Sequence, residues 1–438
     1  CGPTVYDLSH IGHARTYIFF DIFARFLKNR GFPIFYLQNI TDIDDKIIAR
    51  AKETGQTPLK LANTMIKAYL KDMKSLGVQG VKKYAPATKF IPQIVAQVKT
   101  LIEKGFAYKI KDDGYYFDIS KFTDYGKLSR RTIEQAEDGV SRIDESVKKK
   151  NRGDFCLWKF SLPTGGSGEP IWNTALGPGR PGWHIEDTAI SEKFFGPQYD
   201  IHGGGLDLKF PHHEAEIAQQ ESASGKKPFV KIWMHVGMLT VGGQKMSKSL
   251  GNFITIQNFL SKHPAEILRF IVASHHYRSP IDFTEESVKS AESALTSIKE
   301  FLGKLKFINE SRIENKELKI SIKEYENQFN NAMANDINTP EALAAIFDLT
   351  SDANKIIWRL NKNDAKSAEK WLIAKLKTLG IKLKPEKIPS KIKVLASKRE
   401  LLRNNQLFVE SDTLRKKIET LGYKVEDTPL GPMVLKKL

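Results

Sequence analysis

Residues 10–31 read HIGHARTYIFFDIFARFLKNRG. Ile18, Ile22, Phe23, Phe26 and Leu27 recur at helical spacing and Gly31 supplies a stop, so the stretch is an amphipathic helix. Working outward, PIFYLQNI (33–40) is short, apolar and β-rich, a buried strand. TPLKLANTMIKAYLKDMKSLG then opens with Thr57 as cap and Pro58 in the first turn of a second helix. Strands alternating with helices imply an α/β domain, a doubly wound parallel sheet with helices on both faces. One more strand is expected ahead of CGPTVYD, and the lack of an initiator Met reads as a truncated start.

Farther on the pattern changes. YKIKDDGYYFDI reads as a hairpin turning at Asp113-Gly114, and SLPTGGSGEPIWNTALGPGRPGW as loop, so an insertion interrupts the sheet domain. Beyond residue 253 the chain is almost wholly helical, with a bundle-like stretch from Ile281 to Leu372. From Ile388 one basic helix precedes LGYKVEDTPLGPMVLKK, a small hairpin. The expected segments are 1–106 and 176–255 for the halves of the sheet domain, 107–175 for the insertion, 256–300 for a connecting region, 301–387 for the helical bundle and 388–438 for a small mixed module.

Bulk composition narrows the partners. Of 438 residues, 41% are hydrophobic and 27% charged, which describes a globular chain. No run of about 18 apolar residues occurs, so no membrane partner is expected. Cys1 and Cys156 cannot make a disulfide framework, which points to a reducing, cytoplasmic compartment. The net charge of +17 attracts polyanions, and residues 371–438 carry 16 Lys+Arg against 7 Asp+Glu, a net of +9, compatible with RNA contact.

Two short words carry the chemistry. HIGH (His10–His13) lies at a helix N-terminus, where free amides and the helix dipole favour an anion. Gly12 allows close approach, and the imidazoles can donate to phosphate oxygens. GGQKMSKSLGN places Lys245 and Lys248 in a mobile Gly/Ser-rich loop that can clamp a polyphosphate. In this order, the pair resembles the signature of class I aminoacyl-tRNA synthetases. More narrowly, CGPTVYDLSHIGHART, NITDIDDKI, GWHIE, DIHGGGLDLKFPHHEAEIAQ, KMSKSLGNF and GYKVEDTPLG resemble the cysteinyl-tRNA synthetase family over nearly the whole chain.

The resemblance implies a Rossmann-type catalytic domain that joins ATP, as its Mg2+ complex, to L-cysteine and then charges tRNA(Cys), with 256–300 contacting the stem and 388–438 reading the anticodon. It implies that His10 and His13 stabilise phosphates and adenosine, that Lys245 and Lys248 stabilise departing pyrophosphate, that Gly12 and Asp207 help hold ATP, with Asp207 on the ribose hydroxyls, and that Thr41 and Trp183 line the cysteine pocket. A monomer is expected. PHHEAEIAQ reads as a helix start, on which His212 and Glu216 are four apart and share a face, whereas His213 meets only Ile217. With Cys1 they offer sulfur, nitrogen and oxygen to one zinc ion per chain. Zinc would separate a thiol from an alcohol where a simple pocket manages only about 10- to 200-fold. Asp187 stands where the family commonly carries a cysteine; it is read as the fourth ligand, with a three-ligand site as the alternative. Cys156, in apolar GDFCLWKF, is read as structural. The competing functions are a class I ligase joining cysteine to a small amine, and an RNA-binding paralogue without catalysis. The long basic extension after KMSKS opposes the first, and intact motifs oppose the second.

Overall fold

In the computed structural model, which describes residues 1–131, 148–161, 169–247, 250–310, 321–383 and 388–436, the first helix is α1 (Ile11–Asn29). His10 caps it, its Nδ1 accepting from the Gly12 amide at 3.1 Å, and Gly31 at φ +86° ends it. Ile11, Ala14, Ile18 and Ile22 are fully buried along one face; burying one such isoleucine is worth about 2 kcal/mol. β1 (Tyr36–Ile40) is shorter than the apolar run 33–40, since Pro33 has no amide to donate and Ile34 and Phe35 stay exposed. α2 (Asp45–Glu53) and α3 (Pro58–Ser75) follow; Pro58 opens α3 as expected, but the Thr57 side chain makes no capping bond. β2 (Val81–Pro86) returns parallel to β1, and α4 (Ile91–Glu103) leads out of the sheet.

The insertion is a four-stranded antiparallel sheet in the order β3 (Ala107–Ile110), β4 (Gly114–Phe117), β5 (Phe155–Phe160), β6 (Gly179–Pro181). Its first hairpin turns through residues 111–113, with Asp112 at φ +60°, so Asp113 is in the turn as expected while Gly114 already pairs with Ile110. Gly114 is needed inside the strand, where a Cβ would lie 2.4 Å from the Trp158 carbonyl oxygen. The chain re-enters the sheet domain through α5 (Trp183–Phe195), β7 (Tyr199–Gly205), α6 (Glu214–Ser224) and β8 (Val230–Val236), with β7 and β8 parallel.

Cys1–Val5 joins the two parallel pairs. Thr4 bridges Thr41 just past β1, the Val5 amide donates to Thr41 O at 3.1 Å, and the Cys1 backbone nitrogen donates to Gly203 O of β7 at 2.7 Å. Cys1 therefore lies at the carboxyl ends of β1 and β7, where open α/β sheets bind ligands. Next come β9 (Leu239–Val241) and β10 (Gln244–Lys245), an antiparallel hairpin, then α7 (Ile256–Lys262), with β11 (Ile281–Phe283) on the other edge of β9.

The chain divides into two compact units, Cys1–Ala265 with Tyr277–Asp282, and Glu266–His276 with Phe283–Leu438. The second contains α8 (Ala265–Ala273), α9 (Glu285–Glu310), α10 (Ile322–Ala334), α11 (Thr339–Lys355) and α12 (Lys362–Thr378). After them the terminal module has two helices where one was expected, α13 (Ser390–Asn404) and α14 (Phe408–Thr420), because Gln406 at φ +59° breaks the run. The expected hairpin is present as β12 (Tyr423–Thr428) and β13 (Gly431–Lys436). Among the described residues no helix is long and apolar enough to cross a membrane.

Candidate active site

One end of the site gathers the two motif words. His10 and His13 stack with ring centroids 3.8 Å apart. Burial lowers His10 to about 4 and His13 to about 3, the second helped by the first, so both imidazoles are neutral at pH 7. Because His10 Nδ1 accepts from Gly12, its proton resides on Nε2, which is left to donate. A Cβ on Gly12 would sit 2.9 Å from Met246 Cε, so glycine lets Met246 pack onto the first turn of α1. The segment leaving that loop is also tied there: the Ile11 amide donates to Ile254 O at 3.0 Å and the Ile256 amide to Ser9 O at 2.9 Å. Lys245 is exposed on β10, Asp207 is exposed in the turn after β7 with its charge felt by His10, and Lys248 lies outside the described residues. Neutral donors, helix amides and an ammonium on one open face suit a polyphosphate.

The other end is buried and dense in sulfur, nitrogen and oxygen. Cys1 Sγ lies 3.0 Å from His202 Nε2, 3.2 Å from His213 Nε2 and 3.7 Å from Glu216 Oε1. His212 Nε2 lies 2.8 Å from Glu216 Oε1 and 3.0 Å from Asp187 Oδ2. Two overlapping quartets result, Cys1–Asp187–His212–Glu216 and Cys1–His202–His213–Glu216, each with its donor atoms within 4.8 Å of one another. Behind them stand further partners: His184 Nδ1 is 2.8 Å from His212 Nδ1, His235 Nε2 is 2.8 Å from His213 Nδ1, and the Tyr199 hydroxyl meets His202 Nδ1. Trp183 stacks on His212 at 4.4 Å. Thr41 is buried, and its hydroxyl donates to Glu186, whose carboxyl burial and the Asp187 charge push well upward.

This end fits a cation. Burial alone would lower His212, yet the Glu216 and Asp187 carboxylates outweigh it and hold the imidazole up at about 9. Glu216 Oε2 is buried without a hydrogen-bond partner, and among the described residues no Lys or Arg reaches either carboxylate. A thiol, an imidazole and two carboxylates are donors that zinc accepts.

The profile of the tRNA synthetases class I (C) catalytic domain matches residues 1–293, and that of the DALR domain residues 328–384. Over 387 residues the chain is 46% identical to the cysteine–tRNA ligase of Carboxydothermus hydrogenoformans, covering 87% of this chain and 81% of that one. The chain belongs to the cysteine–tRNA ligase family. The cysteine–tRNA ligase of Thermococcus onnurineus is 45% identical over 369 residues, 83% of this chain and 76% of its own. Among solved structures, Mycobacterium tuberculosis methionyl-tRNA synthetase with methionyl-adenylate superposes with TM-score 0.62 at 15% identity, covering 87% of this chain and 88% of that one. A ternary complex of Agrobacterium radiobacter LeuRS reaches 0.65 at 12% identity, covering 86% and 83%. These two show that this cysteine–tRNA ligase family member has the class I synthetase fold, a Rossmann-type domain followed by a helical one.

Within that family fold, tertiary contact adds what helix arithmetic left out. Lys209–His213 forms a wider turn ahead of α6, but its one non-helical residue is Phe210 and His213 is already helical at φ −68° and ψ −28°. Setting His213 aside counted only the four-residue spacing; His213 and Glu216 are three apart, which on a helix is also one face, so His213 meets Cys1 beside Glu216 while His212 keeps its pairing with Glu216. His202, on β7, was missed altogether. A usable signal existed: His184, His202, His212, His213 and His235 are five of only ten histidines, and all lie within 184–235. Cys156 is buried opposite Tyr116 in the insertion and belongs to neither quartet.

Proposed function

We propose that this chain ligates L-cysteine to tRNA(Cys) in two steps, through a cysteinyl-adenylate, with a zinc ion held by Cys1, Asp187, His212 and Glu216. The convergence of those four donors, three buried and Cys1 half-buried, at the carboxyl ends of β1 and β7 carries the reading. When bound, zinc would take the substrate thiolate and refuse an alcohol, supplying selectivity that shape alone cannot. Trp183, stacked on His212, and Thr41, held by Glu186, wall the amino acid beside that sulfur position. With cysteine so placed, its carboxylate attacks the α-phosphorus of Mg2+-bound ATP. His10 and His13 donate as neutral imidazoles to the phosphate oxygens, Gly12 admits the nucleotide, Asp207 accepts from the ribose hydroxyls, and Lys245 with Lys248 draws off pyrophosphate. Exposed Leu407, Phe408 and Val409 lie at the turn between the basic helix α13 and the charge-balanced helix α14, and this face of residues 388–438 grips the anticodon arm; 256–300 contacts the acceptor stem. The test measures cysteine-dependent ATP–pyrophosphate exchange, metal content and charging of tRNA(Cys) on one preparation. One zinc per chain and strong preference for cysteine over serine are expected; an active zinc-free enzyme would sink the metal assignment.

A further inference from the structure

Arg15 lies one turn into α1 and is only 1% exposed, yet among the described residues its guanidinium meets no carboxylate. Its partners are three carbonyl oxygens from two separate segments. Nη1 donates to Met238 O at 2.5 Å; Nη2 donates to Tyr277 O at 3.4 Å and to Ser279 O. Burial brings the guanidinium down to about 10, so it remains charged at neutral pH. The same two segments are stitched directly: the Gly237 amide donates to Tyr277 O at 2.7 Å and the Ile281 amide to Met238 O at 3.0 Å. A buried cation without an acid is costly, and a planar fork that satisfies several carbonyls at once is a task lysine cannot perform.

What this junction carries is the loop with the lysines. Met238 is the last residue before β9, and the β9–β10 hairpin is steadied by Asp282, whose Oδ1 accepts from Thr240 Oγ1 and the Gly243 amide, both at 2.8 Å. Lys245 and Met246 follow, and the far side of the loop is fastened to Ser9–Ile11 through Ile254 and Ile256. The described parts of the loop, Leu239–Ser247 and Leu250–Phe253, are thus moored at their outer ends to one helix. Its upstream mooring is Arg15; its downstream mooring is the turn bearing His10.

We propose that Arg15 is a positioning residue for adenylation: it sets the base of the Leu239–Phe253 loop against the helix that carries His10 and His13, so that Lys245 meets the phosphates at a defined distance. This rests on the reading that the loop's lysines neutralise departing pyrophosphate. Misplacing a catalytic group by about 1 Å costs on the order of 100-fold, and the effect falls on the step in which charge develops. Cysteine binding, at the other end of the site, is spared.

The experiment uses the full chain and cysteine-dependent ATP–pyrophosphate exchange, with metal content and melting temperature measured on each variant. Arg15→Lys keeps the charge but loses the fork. Gly237→Ala keeps the Arg15 side chain and spreads the same junction, since its Cβ would lie 2.6 Å from Ser279 O, an acceptor of Arg15, and 2.8 Å from Arg278 O. Each is expected to lower kcat about 10- to 100-fold with KM for cysteine and zinc content unchanged. Combining either with Lys245→Ala is expected to cost little beyond the worse single change, because the two act as a unit. A wild-type kcat in both variants, full additivity with Lys245→Ala, or a raised KM for cysteine at unchanged kcat overturns the proposal. If Arg15→Lys does not fold, Gly237→Ala decides alone. A wild-type kcat in Lys245→Ala by itself would bring down the loop's phosphate role, and the proposal with it, a failure distinct from the others.

Discussion

At the sulfur end of the site Asp187, His202, His212, His213 and Glu216 are all buried, and each ring has a second partner behind it: His184, His235 or Tyr199. At the phosphate end Lys245 and Asp207 are exposed, and only the stacked pair His10–His13 is drawn into the fold. The first arrangement is held by those contacts in the fixed donor geometry that the proposed selectivity for sulfur requires. The second leaves Lys245 exposed on the β9–β10 hairpin, whose base is moored to α1. The contrast is between donors enclosed by the fold and a cation presented from its surface.

The largest effect should come from breaking the rigid end. Cys1→Ala removes the sulfur donor, and metal affinity is expected to fall by more than about 100-fold, since loss of even an outer partner costs 10- to 100-fold. Dialysis against a chelator followed by metal analysis checks this, and preference for cysteine over serine in the exchange assay should collapse in parallel. Retained stoichiometric zinc would take Cys1 out of the site.

Next in size is the exposed end. Lys248→Ala should lower kcat for exchange by about 100-fold while leaving KM for cysteine alone, because its charge matters as pyrophosphate departs. A variant that bound cysteine poorly yet turned over normally at saturation would reverse the division of labour between the two ends.

A smaller change sharpens the quartet. Asp187→Ala should weaken zinc by about 10- to 100-fold, whereas Asp187→Cys, which keeps an anionic donor in place, should hold one zinc per chain. Equal zinc affinity in wild type and Asp187→Ala would leave a three-ligand site. Beyond the catalytic domain, deleting residues 388–438 should leave exchange within about threefold of wild type and cripple tRNA charging, with full-length binding falling steeply as salt rises. Cutting near residue 375 would be the poorer experiment: α12 runs to Thr378, and Leu379 O accepts from buried Arg269 at 3.2 Å.

The smallest effect concerns protons. His10 and His13 have folded values of about 4 and 3, below the ordinary 6.5 of an unfolded histidine. Between those limits the unfolded chain binds more protons, so their contribution to stability is full above pH 6.5 and is lost as pH falls toward 3. Exchange rates corrected for substrate ionisation should show no inflection near 6.5 from this pair. A clear loss of rate centred there, absent in His10→Asn, would mean that these rings titrate freely.

Much of this was legible in the residues alone, and the boundary has a physical cause. Local rules sufficed for α1, whose apolar spacing and Gly31 are contained within one stretch, for Pro58 at the start of α3, and for the pairing of His212 with Glu216 four residues apart. Fold and family followed from words that keep their order along the chain. Turns were less secure, because Asp112 and Gln406 take the left-handed conformation without a glycine to announce it, each at an exposed turn closed by local backbone bonds. The histidine cluster was out of reach for a stronger reason. His202 and His213 meet Cys1 from about 200 residues away, and no periodicity relates a strand end, a wide turn and the start of the chain. Arg15 is the same case: read in sequence it is one cation on an amphipathic helix, and only the arrival of Met238, Tyr277 and Ser279 gives its charge three carbonyls to hold.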